Sequence, residues 1–150
     1  MNNKKIMQGV WIGLITGIFL ALFLKLVQAV MGNKVYTLLL NVDYIPIVKN
    51  YQFPEVIEVS FHLIISVILC IVLVLLLDKS TAFIRNRVMY FSFLINIAIG
   101  LLLYPTTLFS NRTPSFTDAV SLFWWIVGHA LYGLLVGILL KKWLSKGTQC

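Results

Sequence analysis

The sequence predicts an all-α membrane protein: a bundle of four transmembrane helices with both termini cytoplasmic and a short interfacial segment between helices 1 and 2. Three observations predict it. Of 150 residues, 60% are apolar and 11% charged, with mean hydropathy +0.95. A soluble fold this short needs a polar exterior that 12 Lys and Arg and 5 Asp and Glu cannot supply. Four apolar stretches reach the roughly 20 residues needed to cross a hydrocarbon slab about 30 Å thick. Finally, the basic residues gather on one side of those stretches.

The spans run about 7–31, 56–77, 88–108 and 119–140, each bounded by charged or turn-forming residues. The whole chain, 1–150, is a single integral membrane domain. None of the runs alternates apolar and polar residues as a barrel strand does, and lipid leaves helix as the remaining way to satisfy the backbone. Helix 1 follows Lys4 and Lys5 and contains Val27-Gln28-Ala29, which loosely resembles a cleavage site. Its apolar stretch, Ile6 to Leu24, exceeds a signal-peptide core, so it reads as a retained anchor.

From Gly32 to Pro54 the chain is apolar only over Val35–Leu40, too short to cross. Asp43, Pro46 and Pro54 interrupt it, and Tyr36, Tyr44 and Tyr51 suit the headgroup level, so a short interfacial helix or a lid over the bundle is expected. Pro105 is expected to end or kink helix 3, and the polar loop Asn111 to Asp118 leads into helix 4. Phe123, Trp124 and Trp125 fit an outer aromatic belt and Trp143 an inner one.

Lys4, Lys5, Lys79, Arg85, Arg87, Lys141, Lys142 and Lys146 share one side, which makes that side cytoplasmic. Lys34, Lys49 and Arg112 lie opposite, and Lys25, late in helix 1, is expected to snorkel outward or else to pair with Glu55 or Glu58. The formal charge of +7 is scattered in these short groups, with no basic stripe interleaved with aromatics, so nucleic acid is excluded as a partner. The lipid bilayer is the expected partner, and a second copy of the chain is a further candidate. Cys70, inside an apolar run, reads as a core or lipid-facing residue, and Cys150 as an exposed tail thiol. Neither belongs to a metal or disulfide framework.

Gly9, Gly13, Gly17 and Ala21 are spaced four apart on helix 1, and Gly128, Gly133 and Gly137, with Ala130, repeat the device on helix 4. Such ridges let another helix approach closely, either within the bundle or in a homodimer.

Glu58, His62 and Ser66 recur at i, i+4 and i+8 on one face of helix 2, with Glu55 one turn before. At the helical rise, His62 lies about 10 Å below the outer boundary and His129 of helix 4 about 14 Å. Ionisable groups at such depth face a bundle interior or a wet cavity. Three uses are open to the pair. Each imidazole can bond a carbonyl, Asn96 or Ser66 as structural glue. With Glu58 favouring the charged form of His62, the pair can handle protons. Two His can ligate haem or metal, although no third ligand stands at suitable spacing, so no cofactor and no metal is expected. Asn96 is expected to bridge helices through its amide. No nucleophile elbow, phosphate loop or HExxH occurs, so the chain does not read as an enzyme.

Gly13-Leu14-Ile15-Thr16-Gly17 with Lys25, Phe61-His62-Leu63-Ile64-Ile65-Ser66-Val67, Tyr104-Pro105 with Thr113-Pro114 and Asp118, and Gly128-His129 together resemble the YagU family of bacterial inner-membrane proteins. The similarity is best from about Val56 to Leu140. It implies a small multi-pass protein of the bacterial cytoplasmic (inner) membrane linked with acid tolerance, and it points to His62, Pro105, Pro114, Asp118 and His129. The chain departs from the family in a shorter outer segment before helix 2.

Two functions follow as expectations. One is an outward-facing pocket, lined by Glu58, His62, Asn96, Asp118 and His129, that handles protons or a small solute. The other is a non-transporting component that docks a partner through its glycine ridges.

Overall fold

The computed structural model of the chain describes residues 3–43, 45, 47, 51 and 53–147, with side chains as far as Leu144. Tyr44, Pro46, Lys49, the Lys146 side chain and Cys150 lie outside the described residues. Among the described residues six α-helices form: α1 (Asn3–Met31), α2 (Val35–Leu40), α3 (Glu55–Asp78), α4 (Ala82–Asn86), α5 (Val88–Leu103) and α6 (Ala119–Gly147). A 3-10 turn, Tyr104–Phe109, extends α5. Four of these stretches are long and apolar enough to cross a membrane: α1, α3, α5 with its turn, and α6. The protein is therefore an all-α membrane protein built as a four-helix bundle, and no strand occurs among the described residues.

Each helix sorts its residues by size. On α1 the buried positions are Gly9, Ile12, Gly13, Thr16, Gly17, Leu20, Ala21, Leu24 and Val27, one stripe at helical spacing. Trp11, Leu22 and Leu26 point away from the bundle, as do Ile64, Ile68 and Leu76 of α3. In water such a surface would be an aggregation patch; in a bilayer it is the face toward acyl chains.

The helices pack as two tight pairs, α1 with α3 and α5 with α6, joined through α1 and α6. Glycine sets both pairs. A Cβ on Gly13 would stand 2.5 Å from Val67 Cα, one on Gly9 2.7 Å from Ile71 Cα, and one on Gly137 2.7 Å from Met89 Cα. A Cβ on Gly133 would stand 2.8 Å from the Ser92 carbonyl oxygen, one on Gly17 would meet Ser66, and one on Gly128 the Leu20 and Leu24 side chains. Both ridges are thus spent on contacts inside the chain. By contrast, α3 and α5 share no substantial contact.

At one end of the bundle Lys5 Nζ reaches Asp78 Oδ1 at 2.5 Å, tying the start of α1 to the end of α3. At the other end, α1 stops at Gly32, whose positive φ of 75° lets its N–H return to the Gln28 carbonyl. There α2 folds over the bundle with Val35, Tyr36, Leu38 and Leu40 buried, so the segment is a lid. Tyr36 is buried against the bundle, and its hydroxyl donates to Oε1 of the exposed Glu55 at 2.8 Å. Burial first, and Glu55 second, push its phenol above the ordinary range. Lys25 takes the pairing expected of it with Glu55: its exposed ammonium reaches the same carboxylate oxygen at 2.6 Å. As expected of Pro105, the α-helix ends just before it, at Leu103, and Pro105 lies at the start of the 3-10 turn, where a missing N–H costs nothing.

Candidate functional site

Beneath the α2 lid, in the half of the bundle nearer that end, lies a cavity of about 130 Å³. The sequence places its walls. Leu20 of α1 and Trp125, His129 and Tyr132 of α6 form the back, all buried. Leu38 to Val42 form the roof together with Glu58. The half-exposed or exposed lining residues lie, apart from Leu39 in the roof, on α3 (Phe61, His62, Ile65, Leu69) and on α5 with its turn (Ile99, Leu103, Thr106). Ile65 is 56% exposed and Leu103 38%. The cavity therefore opens sideways through the gap between α3 and α5, where the two tight pairs leave off.

His62 and His129 both line this cavity. The glycine ridge of α1 explains how His62 is held: with no side chain in the way, its Nε2 reaches the Gly17 carbonyl at 3.1 Å. Ser66, one turn deeper, donates to the Gly13 carbonyl at 2.7 Å. His129 turns back along its own helix, with Nδ1 2.9 Å from the Trp125 carbonyl and its ring against the Trp125 indole. Space for it exists because residue 100 is glycine, whose Cβ would lie 2.9 Å from His129 Cγ. A carbonyl only accepts, so Nε2 of His62 and Nδ1 of His129 carry the protons. In the neutral rings, Nδ1 of His62 and Nε2 of His129 are acceptors.

Glu58 is 4% exposed and does not serve His62. Arg112, from the loop before α6, grips it with two hydrogen bonds, Nη1 to Oε1 at 2.8 Å and Nη2 to Oε2 at 3.1 Å. That carboxylate raises the Arg112 guanidinium further above its already high range. Asp43 stands 3.9 Å from Arg112 and accepts from Ser110 Oγ at 2.6 Å, so lid, α3 and loop are latched at one point. The sequence suggests Lys25 or His62 as partners for Glu58; the loop's return over the bundle supplies Arg112, 54 residues away, instead.

Asn96 does not bridge helices. Its Nδ2 donates to the Ser92 carbonyl of its own helix at 2.7 Å, and its Oδ1 is buried with no partner. Asn41 in the roof has the converse defect, an unpartnered Nδ2. Asp118 is not at the cavity. It caps α6, accepting from the N–H groups of Val120 and Ser121, each at 3.1 Å, and from Ser121 Oγ at 2.6 Å. The Ser121 hydroxyl and then its N–H hold the Asp118 carboxyl below the ordinary range. Trp125 is likewise no belt residue: buried, it donates Nε1 to the Gly100 carbonyl at 2.8 Å.

Tyr132, which the sequence did not single out, closes the cavity floor. Its hydroxyl lies 2.8 Å from Ser66 Oγ and 3.7 Å from Cys70 Sγ, itself buried in the core. Because Ser66 spends its proton on Gly13, Tyr132 donates to Ser66. A small residue every fourth position facing a Ser on the next helix was the available signal, but nothing in the spacing pointed to helix 4 as the source of the phenol. No cluster of three His, Cys, Asp or Glu able to hold a metal occurs among the described residues.

The chain matches no family model, no curated protein and no solved structure. The site must therefore be read from its own chemistry: a mostly apolar cavity carrying a few inward polar groups, one neutralised carboxylate and two imidazoles tied to backbone.

Proposed function

We propose that the chain is a multi-pass bacterial inner-membrane protein of the YagU-like type that admits a small solute to the cavity shared by His62 and His129, with no enzymatic role. One observation carries the reading: two imidazoles from separate helices line a single cavity, and two residues of the same lining, Asn96 and Asn41, keep a buried Oδ1 and Nδ2 without partners among the described residues. Buried polar groups left unsatisfied are costly, and a solute that bonds them offsets that cost. Charge supports a solute over proton relay, because Glu58 is committed to Arg112 and offers His62 no counter-charge. The link with acid tolerance implied by the family resemblance then reflects what the solute does for the cell. Docking of a partner through the glycine ridges has less support, since both ridges already face helices of the same chain.

The test is reconstitution in liposomes, following proton entry with a trapped pH dye and uptake of glycerol or urea by light scattering. Vesicles with the parent protein are expected to take up solute faster than protein-free vesicles, with His62→Ala and His129→Ala slower than the parent. Parent vesicles that behave as empty ones in both assays overturn transport. Proton flux without solute flux, lost in both variants, overturns the preference for a solute and installs the proton reading.

A further inference from the structure

We propose that the cavity seats the hydroxyl end of a neutral amphiphile drawn from the surrounding lipid through the gap between α3 and α5. The inference rests on the reading of the cavity as a solute site and adds its ligand class and route.

The route follows from where the walls are open. Toward water, the roof is shut by buried Leu38, Leu40 and Val42 and by the Glu58–Arg112 pair. Toward the bilayer, the exposed lining residues Ile65 and Leu103 flank a gap between helices that do not pack on each other. Both belong to stretches long and apolar enough to span the membrane, so the gap faces acyl chains. A solute arriving from that side is one that dissolves in lipid.

The ligand class follows from the unsatisfied atoms. Asn96, a lining residue 1% exposed and packed against Gly133 where the wall meets the α5–α6 seam, has a buried carbonyl oxygen with no partner among the described residues. His129 spends Nδ1 on Trp125, and its Nε2, an acceptor in that tautomer, finds no partner among the described residues. The wall therefore asks for a donor. Asn41 Nδ2 in the roof adds a lone unmet donor, which a hydroxyl oxygen can answer as well. Net charge is disfavoured, because the one carboxylate on the wall is already neutralised. In size, a cavity of roughly 150 Å³ holds benzene, so the space of about 130 Å³ takes a hydroxyl with a short stem while the chain beyond it lies in the α3–α5 gap. Two sources carry this chemistry: a free alcohol dissolved in the bilayer, and a lipid whose headgroup is a bare hydroxyl.

Trp125 on the back wall reports the test. In nanodiscs, the variant Trp11→Phe, Trp124→Phe, Trp143→Phe leaves Trp125 as the one indole; should it fail to fold, the parent minus Trp125→Phe gives the same signal as a difference. Bromohexanol, bromohexane and aqueous acrylamide are the quenchers. Saturable quenching by the alcohol, with only linear quenching by the alkane, is expected, and Asn96→Leu should weaken the alcohol by about threefold to tenfold, the loss of one neutral hydrogen bond. Equal behaviour of alcohol and alkane overturns the hydroxyl seat. Efficient quenching by acrylamide with none by bromohexanol overturns the lateral route while leaving a solute pocket open to water. Quenching by none of the three overturns the pocket itself. Relief of quenching by n-octanol or by dioleoylglycerol supports the assignment and names free alcohol or lipid headgroup as the source; relief by neither overturns it.

Discussion

The α1–α3 and α5–α6 seams and the α3–α5 gap are made by the same apolar helices at the same depth, yet two of these boundaries close to backbone contact and the third stays open. At the closed seams glycine faces backbone: Gly13 against Val67 and Gly137 against Met89 leave no room for even a methyl group. Around the gap, α3 presents Phe61, Ile65 and Leu69, and α5 presents Ile99 and Leu103, large side chains that line the cavity between helices sharing no substantial contact. Lipid gives apolar surface no reason to hide, so association needs close packing and hydrogen bonds. Where small residues align, the bundle seals, and where large ones do, it keeps a cavity. Closed seams do not satisfy every polar group: His62 and Ser66 meet glycine carbonyls across the α1–α3 seam, whereas Asn96, packed against Gly133 in the α5–α6 seam, is left with an idle oxygen among the described residues.

The largest effect should come from breaking a closed seam. Gly13→Leu forces α1 from α3 and carries the residue-13 carbonyl out of reach of Ser66; it should cost about 3 kcal/mol or more, read as loss of the folded monomer on size exclusion and a lower Tm by circular dichroism. Ile65→Ala, a comparable change in volume at the gap, should leave Tm nearly unaltered; equal damage from both would erase the distinction between seams.

Next comes the latch that closes the gap from above. Arg112→Ala strands the buried Glu58 carboxylate and should destabilise by on the order of 3 kcal/mol, with acrylamide gaining access to Trp125. Arg112→Lys should recover part of this, because an ammonium keeps the charge but not the two-pronged grip.

Asn96→Leu sharpens the contrast in the opposite direction. Removing an unsatisfied buried oxygen should leave stability unchanged or raise it by about 1 kcal/mol in chemical denaturation, even as the cavity loses its acceptor. A marked loss of stability would mean that Asn96 is structural glue.

The smallest effect concerns the start of α6 in the second closed pair. Asp118→Ala should cost about 1 kcal/mol, the worth of an N-cap. The carboxyl lies below its ordinary value of 3.8 in the folded chain, so its contribution is complete above that pH and is lost as pH falls through the lower folded value. A melting series from neutral pH to below that point should therefore show a shallower acid decline for the variant than for the parent.

The four spans were legible because lipid imposes one requirement, a long apolar run, and composition meets it or does not. Gly9, Gly13 and Gly17 announced a close approach, but to which helix depended on packing. His62 and His129 were singled out by depth, a property of helical rise alone, and they do line one cavity. Asp118 was misassigned because a short acid before a helix is equally a cap and a wall residue until the loop's path is known. Trp125 reads as interfacial for the same reason: an amphipathic ring looks alike whether its polar tip meets headgroups or a buried carbonyl.

By itself, the sequence determined the solvent, the number of crossings and the face each helix could offer a neighbour, since these depend on local composition and periodicity. Only the tertiary structure decided which faces met, that Arg112 would answer Glu58, and that α3 and α5 would stand apart around a cavity. Those outcomes belong to pairs of residues far apart in the chain, and no local pattern records a distance between them.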